Sequence, residues 1–280
     1  MNRNIEQEVK MNFSSVFSRK FWLLSIVFTC FFSILFITTA STEIDPDTIV
    51  GMWLFDEGKG NVATDESGNG LDGEFEGKPK WVDGQFGQAL EFDGKSAYVQ
   101  IPGHDNPTKA ITVSAWAKSA NDTWNQHGWM VEKRPAYIIH PNAGTKNIAW
   151  PICNGGCWNK PGHWNDGNVG TDDITKWHMY TTTFDSKTGK WAIYIDAEEA
   201  STMDIAKNPI DADSGPVNIG FDDCCGGSRF GAAMVDEVVI FDVALEQGDI
   251  ETMLDGMHSA LAVDPADKMA TTWADMKVKY

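Results

Sequence analysis

Two groups of residues have the types and spacing to do chemistry. The first is Asp65-Glu66-Ser67-Gly68-Asn69-Gly70, where side-chain oxygens fall on alternate positions at Asp65, Ser67 and Asn69. With Gly70 next and Glu76 further on, the pattern fits the ligand spacing of a calcium loop. Calcium takes several hard oxygens from a loop that curls on itself, and glycine permits the curl. An EF-hand is disfavoured, because Gly58, Gly60, Gly73 and Gly77 surround the loop and no helix flanks it. The plainer reading is that Asp65 and Asn69 satisfy backbone groups in a turn.

The second group is aromatic. Trp124, Trp129, Trp150, Trp158 and Trp164 lie between Asn121 and Gly170, beside His127, His140 and His163 and many Asn and Gly residues. Exposed rings flanked by amides and carboxylates suit sugars, which offer an apolar C–H face and a rim of hydroxyls. Trp124, Trp158, Trp164 and His163 are the expected ligand contacts, with Trp158 and Trp164 foremost. Trp129 and Trp150 stand on expected strands and suit burial. The histidines, even with Asp166, lack the tight spacing of a transition-metal site.

These groups need an export route and a scaffold. Residues Phe21–Ile37 form a nearly unbroken apolar run, preceded by Arg19 and Lys20 and followed by Thr38-Thr39-Ala40-Ser41. A basic start, an apolar centre and a small-residue exit describe a secretory signal peptide. The run also approaches spanning length, so residues 1–40 read either as a leader cleaved after Ala40 or as an uncleaved N-terminal anchor. Both readings put the remainder outside the cytoplasm, and membrane contact is expected only through an uncleaved leader. The whole chain carries a net charge of −18, and its first forty residues hold four basic and two acidic side chains, which leaves −20 for the rest. Such a surface repels phosphate backbones and excludes nucleic acid as a partner. Cys153, Cys157, Cys224 and Cys225 remain after the leader. In an exported chain they favour disulfides, either stapling the two loops together or closing each locally.

The remainder reads as short strands separated by turns. Ile111, Val113, Ala115 and Ala117 share one face by period-two alternation, as do Trp191, Ile193 and Ile195. Trp177–Phe184 is a further strand, and Asp185–Gly189 is a hairpin turn in which glycine supplies positive φ. One helix is expected, over Ala244–Met257. Strands without intervening helices argue for an all-β, two-layer antiparallel jelly-roll sandwich with one short C-terminal helix. The expected division is 1–40 leader, 41–260 jelly roll with an insertion at about 121–170 decorating one sheet, and 261–280 tail.

Several phrases together resemble the laminin-G-like and concanavalin A-like lectin/glucanase family. They are Gly51–Glu57 with Thr64–Gly73, Gln88–Gly94 with Ala97–Pro102, Ile111–Trp116, Trp177–Tyr180 with Asp185–Ile195, and Phe230–Phe241 with Ala244–Glu246. The resemblance runs in order over roughly residues 48–257. It departs at Asp196-Ala197, where the family commonly has Asp-Gly, and at the Trp- and Cys-rich insertion. It implies a calcium site between the first loop and the closing strand. There Asp236 alternates with Val238 and Ile240 and turns inward, so Asp65, Asn69 and Asp236 are the expected ligands of Ca2+. A buried lone carboxylate is costly unless paired or metal-bound.

The family also includes glucanases, which carry alternating acidic residues on one strand face. Here Glu43 and Asp45 fall at the leader junction, and Asp236-Glu237 and Glu198-Glu199 are adjacent pairs, which alternation sends to opposite faces. No G-x-S-x-G elbow occurs. The function expected is therefore an exported, calcium-binding, non-catalytic carbohydrate-recognition module whose partner is an extracellular glycan or glycoprotein. The alternative is an adhesion or structural domain that contacts proteins through the same loops.

Overall fold

The computed structural model describes residues 44–156, 167–227 and 229–261. In chain order, β1 (Ile49–Trp53), β2 (Val62–Ala63), β3 (Gly73–Glu76), β4 (Lys80–Asp83), β5 (Gln88–Asp93) and β6 (Tyr98–Ile101) lead to the long β7 (Ala110–Ser119). The segment 121–170 supplies β8 (Val131–Lys133), β9 (Tyr137–Pro141), β10 (Asn147–Ala149) and β11 (Val169–Gly170). Then come β12 (His178–Asp185), β13 (Lys190–Ile195), β14 (Glu198–Asp204) and β15 (Val217–Ile219). A small hairpin of β16 (Phe221–Asp222) and β17 (Arg229–Phe230) precedes the closing β18 (Ala232–Phe241).

The first sheet runs β14-β13-β12-β7-β18-β5-β4, with β1 also paired to β18; the second runs β11-β10-β9-β8-β15-β6-β3-β2. Pairing is antiparallel throughout. The segment expected to decorate a sheet instead builds strands of the second one, because Trp129, Tyr137, Ile139, Ile148 and Trp150 all turn into the core.

Alternation sets the faces as the sequence suggests. Ile111, Val113, Ala115 and Ala117 of β7 and Trp191, Ile193 and Ile195 of β13 enter the core between the sheets, facing Val99, Ile101, Val217 and Ile219. The opposite face of the first sheet carries Trp116, Met179, Tyr194 and Phe241. It is covered by a strap of α1 (Gln247–Thr252), a 3-10 turn (Met253–Asp255) and α2 (Met257–Ala260). The helix starts later than Ala244 because Glu246 and Asp249 form a capping box, and it breaks at Gly256, whose φ is 88°. At the β13–β14 turn, Asp196 and Ala197 take φ of 52° and 64°, the left-handed region that favours glycine. The Asp196 carboxylate supports that turn by accepting from the Met179 amide at 2.9 Å and contacting the His178 ring at 2.6 Å.

Candidate binding sites

The first loop is a closed knot of hydrogen bonds. Asp65 Oδ1 accepts from the Met52 amide (3.0 Å), the Ser67 amide (3.0 Å) and the Ser67 hydroxyl (2.6 Å), while Oδ2 accepts from the Leu71 amide (2.9 Å). Asn69 donates to the Ile49 carbonyl at 2.8 Å. Both Asp65 oxygens therefore serve backbone groups, which is the turn role such residues commonly take.

Asp236 sits elsewhere. A bulge between Asp236 and Val239, with Glu237 at φ 42°, interrupts the alternation of β18. Asp236 consequently pairs with Trp116 on the outer face of the first sheet and does not share the inner face of Val238 and Ile240. Glu237 serves that outer face too, accepting from the Met257 amide at 3.0 Å, so the adjacent pair is not divided between faces. Asp236 is 0% exposed; its Oδ2 accepts from the Phe86 amide at 2.9 Å, and its Oδ1 is buried with no hydrogen-bond partner among the described residues. Burial pushes the Asp236 carboxyl up to about 7, against the pull of the Phe86 amide and with a further push from the charge of Asp56.

A ring of oxygens gathers beside it. A Cβ placed on Gly84 would lie 2.6 Å from Asp236 Oδ2, 2.6 Å from the Phe86 carbonyl oxygen and 2.7 Å from that of Gln88. The same loop meets Asp56, whose Oδ1 accepts from the Gln88 amide at 2.8 Å and leaves no room for a side chain at Gly87. Glycine is required at both positions by close approach of oxygen atoms.

The outer face of the second sheet has a different chemistry. Gln100 on β6, Asn218 on β15 and Glu132 on β8 stand in register. Gln100 donates to Asn218 Oδ1 (3.2 Å), and Asn218 donates to Glu132 Oε2 (2.8 Å). The β16–β17 hairpin contributes Asp222 above this row. Asp222 accepts from Arg134 Nε (2.6 Å), Arg229 Nη1 (2.9 Å) and the Cys224 amide (3.1 Å). Carboxylate oxygens of Glu132, Asp222 and Asp223 lie within 4.8 Å of one another. Burial pushes Glu132 up to about 8, whereas Asp222 is held below the carboxylate norm because its bonds from Arg134 and Arg229 outweigh its own burial.

Beside this cluster, three half-buried rings meet. Tyr98 lies 4.8 Å from Phe221 and 6.1 Å from Phe230, and the two phenylalanines stack at 4.6 Å with 27° between planes. Gln100, Arg229 and the exposed Asp223 supply a polar rim. At the hairpin tip Cys224 and Cys225 are joined by a disulfide.

Residues 93–251 match the family described as the concanavalin A-like lectin/glucanases superfamily. The chain belongs to that superfamily. No curated protein matches it. Among solved structures, domain 4 of AbnA, a GH43 extracellular arabinanase from Geobacillus stearothermophilus, in complex with arabinotriose, is 19% identical with a TM-score of 0.57; the match covers 73% of this chain and 97% of that one. The receptor-binding domain of the botulinum neurotoxin C/D mosaic serotype is 16% identical with a TM-score of 0.59, over 76% of this chain and 52% of that one. The binding domain of botulinum neurotoxin DC in complex with SialylT is 14% identical with a TM-score of 0.57, over 75% and 52%. The chain thus spans about half the length of the toxin domains it matches, and at these identities the likeness is one of fold.

Within this lectin/glucanase scaffold the tryptophans divide sharply. Trp124, expected at the ligand surface, is 1% exposed and packs edge-on against Trp129 and Tyr180 at 5.6 and 5.9 Å; it is a core residue. Trp129 and Trp150 are buried as well. Trp158, Trp164, His163, Asp166 and Cys157 lie outside the described residues. Cys153 is buried and disulfide-bonded. The sequence-based reading missed Asp56, Tyr98, Phe221 and Phe230. Asp56 stands inside the family-like phrase Gly51–Glu57, Tyr98 inside Ala97–Pro102, and Phe230 opens Phe230–Phe241, whereas Phe221 lies in none of these phrases.

Proposed function

We propose that this chain is an exported, non-catalytic carbohydrate-binding module that receives a sugar on the outer face of its second sheet. The observation that carries the reading is the half-buried cluster of Tyr98, Phe221 and Phe230 with Gln100, Arg229 and Asp223 at its rim. Aromatic faces take the C–H side of a pyranose or furanose ring, and planar amide, guanidinium and carboxylate groups take its hydroxyls. Superfamily membership and two similar folds bound to arabinotriose and SialylT support it. Export rests on the composition of residues 1–40.

The carboxylates of this face suit structure better than catalysis. Glu132 and Asp222 are as close as the acid and nucleophile of a retaining glycosidase, which stand ~5 Å apart. Yet they are 1% and 0% exposed, and Asp222 is held by two guanidinium groups. On this reading their burial keeps both from a glycosidic oxygen.

Calcium belongs to the same proposal, with a revised ligand set. The orphaned Asp236 Oδ1 and the oxygen cradle at Gly84 fit a hard cation, whereas the oxygens of Asp65 are already engaged by N–H and O–H donors. Asp56 and Asp236, with the Phe86 and Gln88 carbonyls, would hold the ion. When bound, it supplies positive charge that ties the 84–88 loop to the closing strand. Thermal unfolding of the full chain checks this: calcium is expected to raise Tm, and Asp236→Ala to abolish the rise. No response to calcium or to EGTA would sink the metal claim.

The sugar reading is tested by incubating the full chain on an array of immobilised glycans. Binding is expected, and Tyr98→Ala or Phe230→Ala should weaken it by about tenfold, near the worth of one aromatic contact. Unaltered binding in both variants, with unaltered Tm, would move the site off this face. Release of reducing sugar from a bound glycan would overturn the non-catalytic part.

A further inference from the structure

The hairpin that carries two of the three platform rings holds, within its turn, a covalent ring that chemistry can open. Phe221 and Phe230 are paired across β16–β17, and Asp222 pairs with Arg229. Between these strands the chain turns through Asp223 to Gly227, with Cys224 bonded to Cys225. Cys225 holds φ 62° and ψ 32°, the left-handed region that residues with a Cβ seldom enter. Its sulfur is exposed on the hairpin tip and receives a weak contact from Arg229 Nη2 at 3.7 Å. The Cys224 amide donates to Asp222 Oδ1, so the turn bonded through sulfur also positions the carboxylate that gathers Arg134 and Arg229.

We propose that Cys224–Cys225 is a reducible clasp: a dithiol reductant opens it, releases the β16–β17 hairpin and disassembles the aromatic platform. One thiolate of the reductant attacks the exposed Cys225 sulfur, breaking the Cys224–Cys225 bond and forming a mixed disulfide. The second thiolate attacks the reductant's own sulfur in that mixed disulfide and expels Cys225. The reductant leaves as a cyclic disulfide, having given up two electrons, and the two protons it loses are taken up by Cys224 and Cys225 as thiols. Freed of the covalent ring, Cys225 returns to negative φ, and the turn between Asp222 and Arg229 no longer has one geometry. Asp223, Cys225 and Gly226 are exposed, so within the turn the covalent ring acts beside the Asp222 bonds to Arg134, Arg229 and the Cys224 amide to fix one geometry. The consequence for ligand binding rests on the sugar reading given above.

The test is amide hydrogen exchange of the full chain with and without dithiothreitol, each state verified by iodoacetamide labelling. Reduction is expected to accelerate exchange in 221–230 by at least about tenfold, with β7 and β12 unchanged. Because Cys153 is also disulfide-bonded, the double variant Cys224→Ser/Cys225→Ser is measured in parallel. It should exchange at the fast rate with or without reductant. Unchanged exchange in the hairpin after labelling of Cys224 and Cys225 would overturn the clasp, as would a double variant that still responds to dithiothreitol. The same glycan array probed with the reduced chain should lose at least about tenfold in signal; full retention beside an opened hairpin would overturn the link to the platform. If the oxidised chain binds no glycan at all, the sugar reading alone fails, because exchange decides the clasp without a sugar.

Discussion

The two sheets of this sandwich each turn a face away from the shared core, and the two faces are covered in opposite ways. Over the first sheet lies a strap whose Ile250, Met253 and Met257 pack on Trp116, Met179 and Tyr194. Over the second lies a short hairpin held by Asp222, Arg134 and Arg229, with three half-buried rings at its margin. An apolar cover is stabilised in proportion to the area it hides. A cover built from ion pairs and partly wet rings has little such area and leaves its groups available to a ligand. On the proposed reading, the first face serves stability and the second recognition.

Matched substitutions break the comparison most strongly. Asp222→Ala strands two guanidinium groups around a buried gap and is expected to cost about 3–5 kcal/mol while abolishing glycan binding. Met253→Ala on the opposite face should cost about 2–5 kcal/mol by leaving a cavity, with sugar affinity retained at temperatures where the chain stays folded. Denaturant unfolding with the array readout compares the two. Equal loss of binding in both variants would mean the faces are not separable.

Much of the scaffold is readable from alternation, and the reasons for the failures are physical. In β7 and β13 the period of two runs long enough to fix which residues enter the core, as Val113, Ala115 and Ile193 do. β8, β10 and β11 span only two or three residues, too short for any period. Trp124 therefore looks like a surface ring on a polar loop although it fills the core, beside Trp129 and Trp150, whose burial their expected strand positions do suggest. The bulge at Glu237 carries no glycine to mark it, and one extra residue reverses the face assigned to Asp236. Tyr98, Phe221 and Phe230 each pass for ordinary strand residues. Only the pairing of β6 with β15 and of β16 with β17 brings their rings together. Asp56 likewise has no local spacing that links it to Asp236; the 84–88 loop joins them in space.

The smallest effect sharpens the polar side of the comparison. Glu132 is buried beneath Asp222 and Asp223, with Arg134 Nε 3.6 Å away, and its folded-state value of about 8 lies above the 4.5 of an exposed glutamate. Between those values the folded chain holds a proton that the unfolded chain has released, so this group makes stability fall as pH rises through the window. The slope is at most roughly 1.4 kcal/mol per pH unit for one proton. Asp222 acts in the opposite sense and at lower pH: its depressed value adds stability above the ordinary aspartate range and loses it as acid protonates the folded form. Glu132→Gln reproduces the protonated shape and can still accept from Asn218 through its amide oxygen, so it should flatten the decline between pH 5 and pH 8, a window of about three units within the shift. Urea unfolding across that range, for the chain and the variant, measures it. An identical decline in both would place the titration elsewhere and leave Glu132 ionised among its arginine and amide partners; a flat variant would mean that the face assigned to recognition is held together by a neutral acid at its centre.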